Sequence, residues 1–253
     1  MSHASESPNF DYLLDRSLKW VAITNPRILD FGCGTGALVT KGIGRHVDIW
    51  GADTFEGFYE QWEVNIPEAA RSRIKRIEAG VIPFADESFD VVIANQVFEH
   101  IREPLPVLQE IKRVLCPGGL FIALFPHAGV WFEGHVGLYF PHWMNGWPRL
   151  RSLYLRLGMR LGFGYYRHLG VEGWQHVLDD VTFYHELPDI RAWWANVFGQ
   201  LPASEAADWM GFRIDRSHLP AIFSRLARHS ALRSLLTRLC HIRAGLILRT
   251  TKS

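Results

Sequence analysis

The stretch "ILDFGCGTGALV", residues 28–39, decides how the 253-residue chain is read. A short apolar run passes through an acid, Asp30, and is followed by glycines at alternate positions, Gly32, Gly34 and Gly36. Glycine has no Cβ and tolerates positive φ, so such a loop turns sharply and lets a ligand approach its backbone. Residues 37–45 have a helical pattern, and a helix start offers unpaired N–H groups and the positive end of a dipole. Alone, the spacing is also that of a tight turn, and a dinucleotide loop is its rival. It departs from G-x-G-x-x-G, however. An acid two residues before the first glycine repels a pyrophosphate and suits a positively charged ligand.

Outward from this loop, strands and helices alternate. Strand patterns cover 27–31, 47–53, "IKRIEA" (74–79), 89–95 and 120–125. Helical patterns cover 10–21, 37–45, 56–72 and 103–115, and "CPGG" (116–119) reads as a turn. This rhythm predicts an α/β fold: a doubly wound, mostly parallel sheet with helices on both faces. After Pro126 the rhythm stops, and residues 127–180 are rich in Gly, His, Trp, Tyr and Arg. Helical patterns return at 187–198 and in the basic stretch 220–242, and "GLILRTT" (245–251) reads as a last strand. The expectation is one domain, with its core at 20–126 and about 186–253 and an insertion at about 127–185.

Composition narrows the setting. The 48% hydrophobic content supplies a sizeable core. A net charge of +1 argues against a protein held mainly by nucleic-acid phosphates. Cys33, Cys116 and Cys240 stand too far apart for a disulfide framework or a paired metal spacing, which favours a reducing compartment. The first residues lack the pattern of a signal peptide, and no uncharged apolar run reaches the roughly 18 residues of a spanning helix. A cytoplasmic protein is expected, with the inner membrane face as a further setting.

With these residues in view, the chain resembles the class I S-adenosylmethionine-dependent methyltransferases. Their acid-x-Gly-x-Gly-x-Gly motif is matched by Asp30, Gly32, Gly34 and Gly36. "IEAGVIPFADESFDVVIANQVFEHI" and "EIKRVLCPGGLFIALF" resemble the family's third-to-fourth-strand stretch and its helix, turn and fifth strand. The resemblance runs from about Arg27 to Phe125. It implies a seven-stranded Rossmann-like sheet, S-adenosylmethionine as cofactor, and a cofactor site at Asp30, Gly32, Cys33, Gly34 and Gly36. It adds Asp53, where the family has an acid for the ribose hydroxyls, with Thr54 beside it in the cofactor site, Glu78 and Ala79 near the adenine, and Asn95 after strand four. The family usually has an Asp near the adenine, where this chain has Glu78. Each has a plainer reading: Asp30 as a cap on the loop, Asp53 as a helix N-cap, Asn95 as a turn residue. His100 reads as a supporting histidine rather than a base.

The acceptor site then falls in the stretch that follows strand five, where crevices form in such sheets. "FPHAGVWFEGHVGLYFPHWMNGW" carries His127, His135 and His142 among Trp131, Tyr139, Trp143 and Trp147. An alcohol acceptor benefits from a base, and histidine suits that role near neutrality. His135 is the first candidate, then His142, then His127. The aromatics read either as a lid over the cofactor or as a platform for an amphipathic acceptor such as a sugar. The wider segment is similar to methyltransferases encoded with bacterial surface-glycan assembly enzymes, which implies O-methylation of a sugar, glycan or lipid-linked glycan. The alternatives are a quinone, polyketide or other small-molecule acceptor, and a non-catalytic cofactor-binding partner. "NQVF" replaces the Asn-Pro-Pro-aromatic motif of nucleic-acid amino-methylating relatives, so no nucleic-acid partner is expected.

Two further patterns carry weaker readings. His176, Asp179 and Asp180 have the donors for a metal, but an acid pair more often caps a helix, and no metal is assigned. Arg225, Arg228, Arg233, Arg238 and Arg243 alternate with Ile222, Phe223, Leu226, Leu232, Leu235, Leu236 and Leu239. A helix packed on the sheet with solvated arginines is preferred, and a peripheral contact with an anionic membrane is the alternative. The oligomeric state is not legible.

Overall fold

Near-continuous apolar runs become the buried strands of one sheet. In the computed structural model, which describes residues 8–216 and 230–252, β1 (Ile28–Phe31) is buried at every position. Around it lie β2 (Ile49–Asp53), β3 (Ile74–Arg76), β4 (Phe89–Asn95) and β5 (Leu115–Phe125). The order is β3-β2-β1-β4-β5, all parallel, continued by β9 (Leu246–Thr251), antiparallel to β5, and β8 (Ala203–Ser204). The seven strands form a mostly parallel, Rossmann-like sheet. β8 escapes the sequence reading because two residues carry no periodicity.

Helices cover both faces. On one side α4 (Pro104–Val114) and α7 (Leu187–Phe198) bring Leu108, Ile111, Val114, Ile190 and Trp194 onto the sheet. Trp194 stacks on Phe121, with centroids 5.7 Å apart and planes within 9°. On the other side α1 (Pro8–Trp20), α2 (Ala37–Gly44), α8 (Ala206–Asp215) and α9 (Ser230–Ala244) contribute Tyr12, Leu13, Leu38, Trp209 and Cys240.

Three local readings are corrected. Residues 56–72 are not one helix: Pro67 separates a 3-10 run, Gly57–Asn65, from the single turn of α3 (Glu68–Arg71). β3 stops at Arg76, because Ala79 and Gly80 take positive φ (49° and 74°) and Glu78 bridges back to Val81. "CPGG" is not a turn ahead of a strand but part of β5. Leu115 pairs with Phe89 and Leu120 with Val91, so residues 116–119 bulge from within β5. The bulge is anchored by Gly118 N–H to Lys252 O (2.8 Å) and Lys252 N–H to Gly119 O (2.9 Å).

Between β5 and α7 the chain builds a hairpin, β6 (Phe132–Glu133) with β7 (Leu138–Tyr139). Two helices follow, α5 (Pro148–Arg160) and α6 (Gly170–His176), and α6 runs into a π-turn, Val177–Val181. This segment has its own small core of Val136, Leu138, Leu155, Trp174, Val177 and Leu178. Residues 217–229, with His218, Ile222, Phe223, Arg225, Leu226 and Arg228 of the basic stretch, lie outside the described residues. So do the side chains of Leu232, Arg233, Leu236 and Arg243. On α9, which contacts α8, Leu235 and Leu239 are half exposed and Cys240 is buried. Among the described residues, no helix is long and apolar enough to cross a membrane.

Candidate active site

The glycine loop leaves β1 at the carboxyl edge of the sheet. Gly32, Gly34 and Gly36 all take positive φ (72°, 52° and 73°), a region that side chains with a Cβ rarely adopt. Protein atoms also crowd the loop. A Cβ on Gly32 would fall 2.4 Å from Val97 Cγ2, and one on Gly34 2.8 Å from the Trp62 ring. The fold therefore requires these glycines before any ligand does. Asp53, at the end of β2, clamps the loop. Its Oδ2 accepts Gly34 N–H (2.8 Å) and its Oδ1 accepts Phe55 N–H (3.0 Å).

The other cofactor candidates surround this clamp. Asp30 and Cys33 are buried. Burial, then the charge of Asp53, pushes the Asp30 carboxyl well above the usual range. Burial does the same to the Cys33 thiol. Asn95 follows Ala94, which pairs with Phe31, so it lies beside the loop, and its buried Oδ1 has no hydrogen-bond partner. Thr54 is exposed, and Glu78 and Ala79 lie on an exposed turn past β3. A cation placed here relieves the Asp30–Asp53 repulsion, and a donor satisfies Asn95. S-adenosylmethionine, a sulfonium that also carries an ammonium group, fits those demands.

A second polar cluster forms where β4 and β5 end. A 3-10 turn, Phe98–His100, follows β4, and residues 181–185 run back beside it, with Phe183 N–H donating to Glu99 O (2.6 Å). The β6–β7 hairpin closes the cluster with Glu133 and His135. Glu133 is fully buried and fully used. Its Oε1 meets His135 Nδ1 (2.6 Å) and accepts the Tyr184 hydroxyl, and its Oε2 accepts Val136 N–H (2.6 Å). His135 Nε2 lies 3.3 Å from His100 Nε2, and His100 Nδ1–H donates to Val181 O (2.8 Å), the last carbonyl of the π-turn.

The electrostatics of the cluster are split. Burial works against ionising Glu133, but the hydrogen bonds from His135, Tyr184 and Val136 hold it below the usual carboxylate range. Burial likewise opposes charge on His135, yet Glu133 and then Glu99 raise it above an ordinary histidine. His100 is driven down to about 4 by burial and by the charge of His135. Glu99, fully buried with neither carboxylate oxygen hydrogen-bonded, is pushed up to about 8 by burial.

Of the three nominated histidines, the structure brings only His135 into this cluster. His127 is buried, and its Nδ1 accepts Gly129 N–H (3.2 Å). His142 is buried, with Nε2 on Val130 O (3.0 Å) and its ring 4.8 Å from that of Tyr184. Both brace the loop. His176 pairs with Asp180 (2.8 Å), whereas Asp179 is taken by Arg151 (2.6 Å), so those three residues do not converge on a metal. Sequence reasoning misses Glu99, Glu133 and Tyr184, and it reads His100 only as a support. The adjacent Glu and His of "FEHI" after β4 are the one available signal.

Residues 29–123 match the methyltransferase domain family. An uncharacterised methyltransferase of Schizosaccharomyces pombe is 34% identical over 113 residues, 40% of each chain. The ubiquinone biosynthesis O-methyltransferase of a Ruegeria species is 34% identical over 43% of this chain and 44% of its own. The demethylmenaquinone methyltransferase of Lactococcus lactis is 33% identical over 40% and 42%. The chain thus spans about two fifths of the length of the curated relatives it matches. Phosphoethanolamine N-methyltransferase 2 of Haemonchus contortus, solved with S-adenosylmethionine, shares the fold with a TM-score of 0.50 at 15% identity, over 96% of this chain and 51% of its own. A chain of the Haloferax volcanii complex between the Trm112 activator and a methyltransferase also gives 0.50 at 15% identity, over 98% and 95%. Motif, sheet order and domain match coincide on the same residues: residues 29–123 carry a methyltransferase domain, set in a chain with the fold of S-adenosylmethionine-dependent methyltransferases.

Proposed function

We propose that this protein transfers a methyl group to a hydroxyl of an amphipathic, lipid-borne acceptor, with a glycan on a lipid carrier as the first reading. The observation that carries the hydroxyl is the Glu133–His135–His100 array at the carboxyl ends of β4 and β5. Asp30, the glycine loop, Asp53 and Asn95 hold the cofactor, with Thr54, Glu78 and Ala79 at its outer edge. When bound, S-adenosylmethionine supplies an activated methyl group on sulfur. The chain's own residues then orient the hydroxyl and take its proton. A quarter of the His135 side chain remains exposed, which gives an acceptor access to the pair. The proton comes to rest on His135, where Glu133 stabilises the imidazolium.

Support for a lipid-borne acceptor comes from α5. Its inner face buries Leu155 and Gly158, yet Leu150, Leu153 and Leu157 form a second apolar stripe that faces solvent, with Leu153 64% exposed. Trp147 and Leu161 extend it at the two ends, and Arg149, Arg156 and Arg160 are exposed on the same helix. An apolar stripe flanked by arginines matches the interface of an anionic bilayer. A quinol is the second reading, favoured by the quinone-pathway relatives. They match about two fifths of this chain.

The test has two arms. Calorimetry with S-adenosylmethionine checks the cofactor, and lipid-linked sugars and quinols are screened by mass spectrometry for a gain of one methyl group. Flotation with anionic liposomes checks α5. Salt-sensitive binding that Leu153→Asp with Leu157→Asp abolishes is expected, and equal flotation of both proteins removes the membrane reading.

A further inference from the structure

The His135–His100 contact has a geometry that proton transfer alone does not require. Two imidazoles point their Nε2 atoms at each other across 3.3 Å, with their planes 82° apart. Two histidines bound to one tetrahedral zinc at 2.0–2.1 Å have their nitrogens about 3.3 Å apart. The far nitrogen of each ring is fixed as a metal-binding histidine requires, one on a carboxylate (Glu133) and one on a backbone carbonyl (Val181). Close to both is the Glu99 carboxylate, fully buried, with both oxygens lacking a hydrogen-bond partner. One Glu99 oxygen and one nitrogen of each ring lie within 4.8 Å of one another. An orphaned buried carboxylate is costly, and a divalent cation satisfies it.

We propose that Glu99, His100 and His135 form a binding site for a divalent transition metal of the zinc type, oriented by Glu133 and Val181. The donor set, two imidazoles and one carboxylate, leaves a fourth position on the exposed side of His135. Glu99 reaches the ion by a shift of at most about 1.5 Å, since its oxygen already lies within 4.8 Å of a nitrogen of each ring and a tetrahedral edge is about 3.3 Å. A hydroxyl in the fourth position gives up its proton to solvent more readily than free alcohol does. That consequence rests on the methyltransferase reading, but the site itself does not. In the loaded protein His135 is a ligand, and the metal replaces it as the means of activating the acceptor.

The test is titration of the full chain, stripped with chelator, with zinc chloride by calorimetry, and with cobalt chloride by visible absorption. One equivalent of zinc and a tetrahedral cobalt spectrum are expected. Glu99→Gln and His100→Ala should each weaken zinc by tenfold or more, and Glu133→Gln by about 10- to 100-fold. His176→Ala, on the exposed His176–Asp180 pair, should change nothing. Circular dichroism establishes that each variant is folded, and Glu133→Gln serves if His100→Ala is not. No stoichiometric zinc binding by the folded wild-type chain overturns the proposal, as does zinc affinity unchanged in both Glu99→Gln and Glu133→Gln. Cofactor binding and methyl transfer that persist in chelator while zinc fails to bind remove the metal site and leave the methyltransferase reading intact. Zinc binding without any S-adenosylmethionine binding does the reverse.

Discussion

The glycine loop and the histidine cluster stand along the same carboxyl edge of the sheet, yet they are built in opposite ways. The loop is local: Asp30 to Gly36 is one turn, clamped by Asp53 from the neighbouring strand. The cluster is assembled from three segments. His135 meets His100 across 35 residues, and Tyr184 meets Glu133 across 51. The domain match covers the first construction and stops at residue 123, before the second begins to add its side chains beyond His100. A local device can be shared by chains with different acceptors, whereas a cluster built from three separate segments depends on the particular loops that bring those segments together.

If the two regions divide the labour in this way, substitutions should separate them. The largest effect is expected at His135→Ala: turnover on the true acceptor falls by about 10²–10⁴ while S-adenosylmethionine affinity, measured by calorimetry, stays within twofold. Equal losses in both would erase the division. Asp53→Ala should do the opposite. Removing charged hydrogen bonds costs about 1.5–3 kcal/mol, which is about ten- to hundredfold in cofactor affinity, with turnover at saturating cofactor little changed.

Stability provides the third comparison. In Gly32→Ala the new Cβ meets Val97 at 2.4 Å in a left-handed backbone, so a loss of about 1–3 kcal/mol is expected in urea unfolding. At Gly134, beside the cluster, a Cβ would have nothing within 4 Å, and φ is not positive, so Gly134→Ala should stay within about 0.5 kcal/mol. The smallest effect concerns acid. Burial holds His142 below an ordinary histidine, so the folded chain binds its proton less readily than the unfolded chain. Its contribution is complete above the unfolded value of about 6.5 and is lost as pH falls from there through the folded value. Thermal melts of His142→Gln should therefore show a shallower loss between pH 6.5 and 5 than the parent does.

What is legible in the sequence follows the same division. The strands, the acid at the end of β1 and the Asp53 position announce themselves through apolar runs a few residues long. The glycines read as making room for a ligand, but Val97 and Trp62 occupy part of that room, which a linear pattern does not reveal. Glycine neighbours draw attention to His135, although what equips it is Glu133 two residues before, on the same hairpin. His100 looks like a support, because nothing near it in sequence shows that a histidine from another loop faces it. The "CPGG" turn misleads for a related reason: Lys252, far along the chain, supplies the hydrogen bonds that keep it in the strand.

The position of β9 has a kinetic consequence. It lies between β5 and β8, and its partners on β5 are more than a hundred residues away, Phe125 with Leu246 and Leu120 with Thr251. Pairing over such separations is slow, because the connecting chain must be ordered first. Among the described residues β8 has no other strand neighbour, so it joins the sheet only once β9 is in place. The amides of β1 and β4 should therefore gain protection from hydrogen exchange early in refolding, and those of β9 should gain it last, as one cooperative unit with β8.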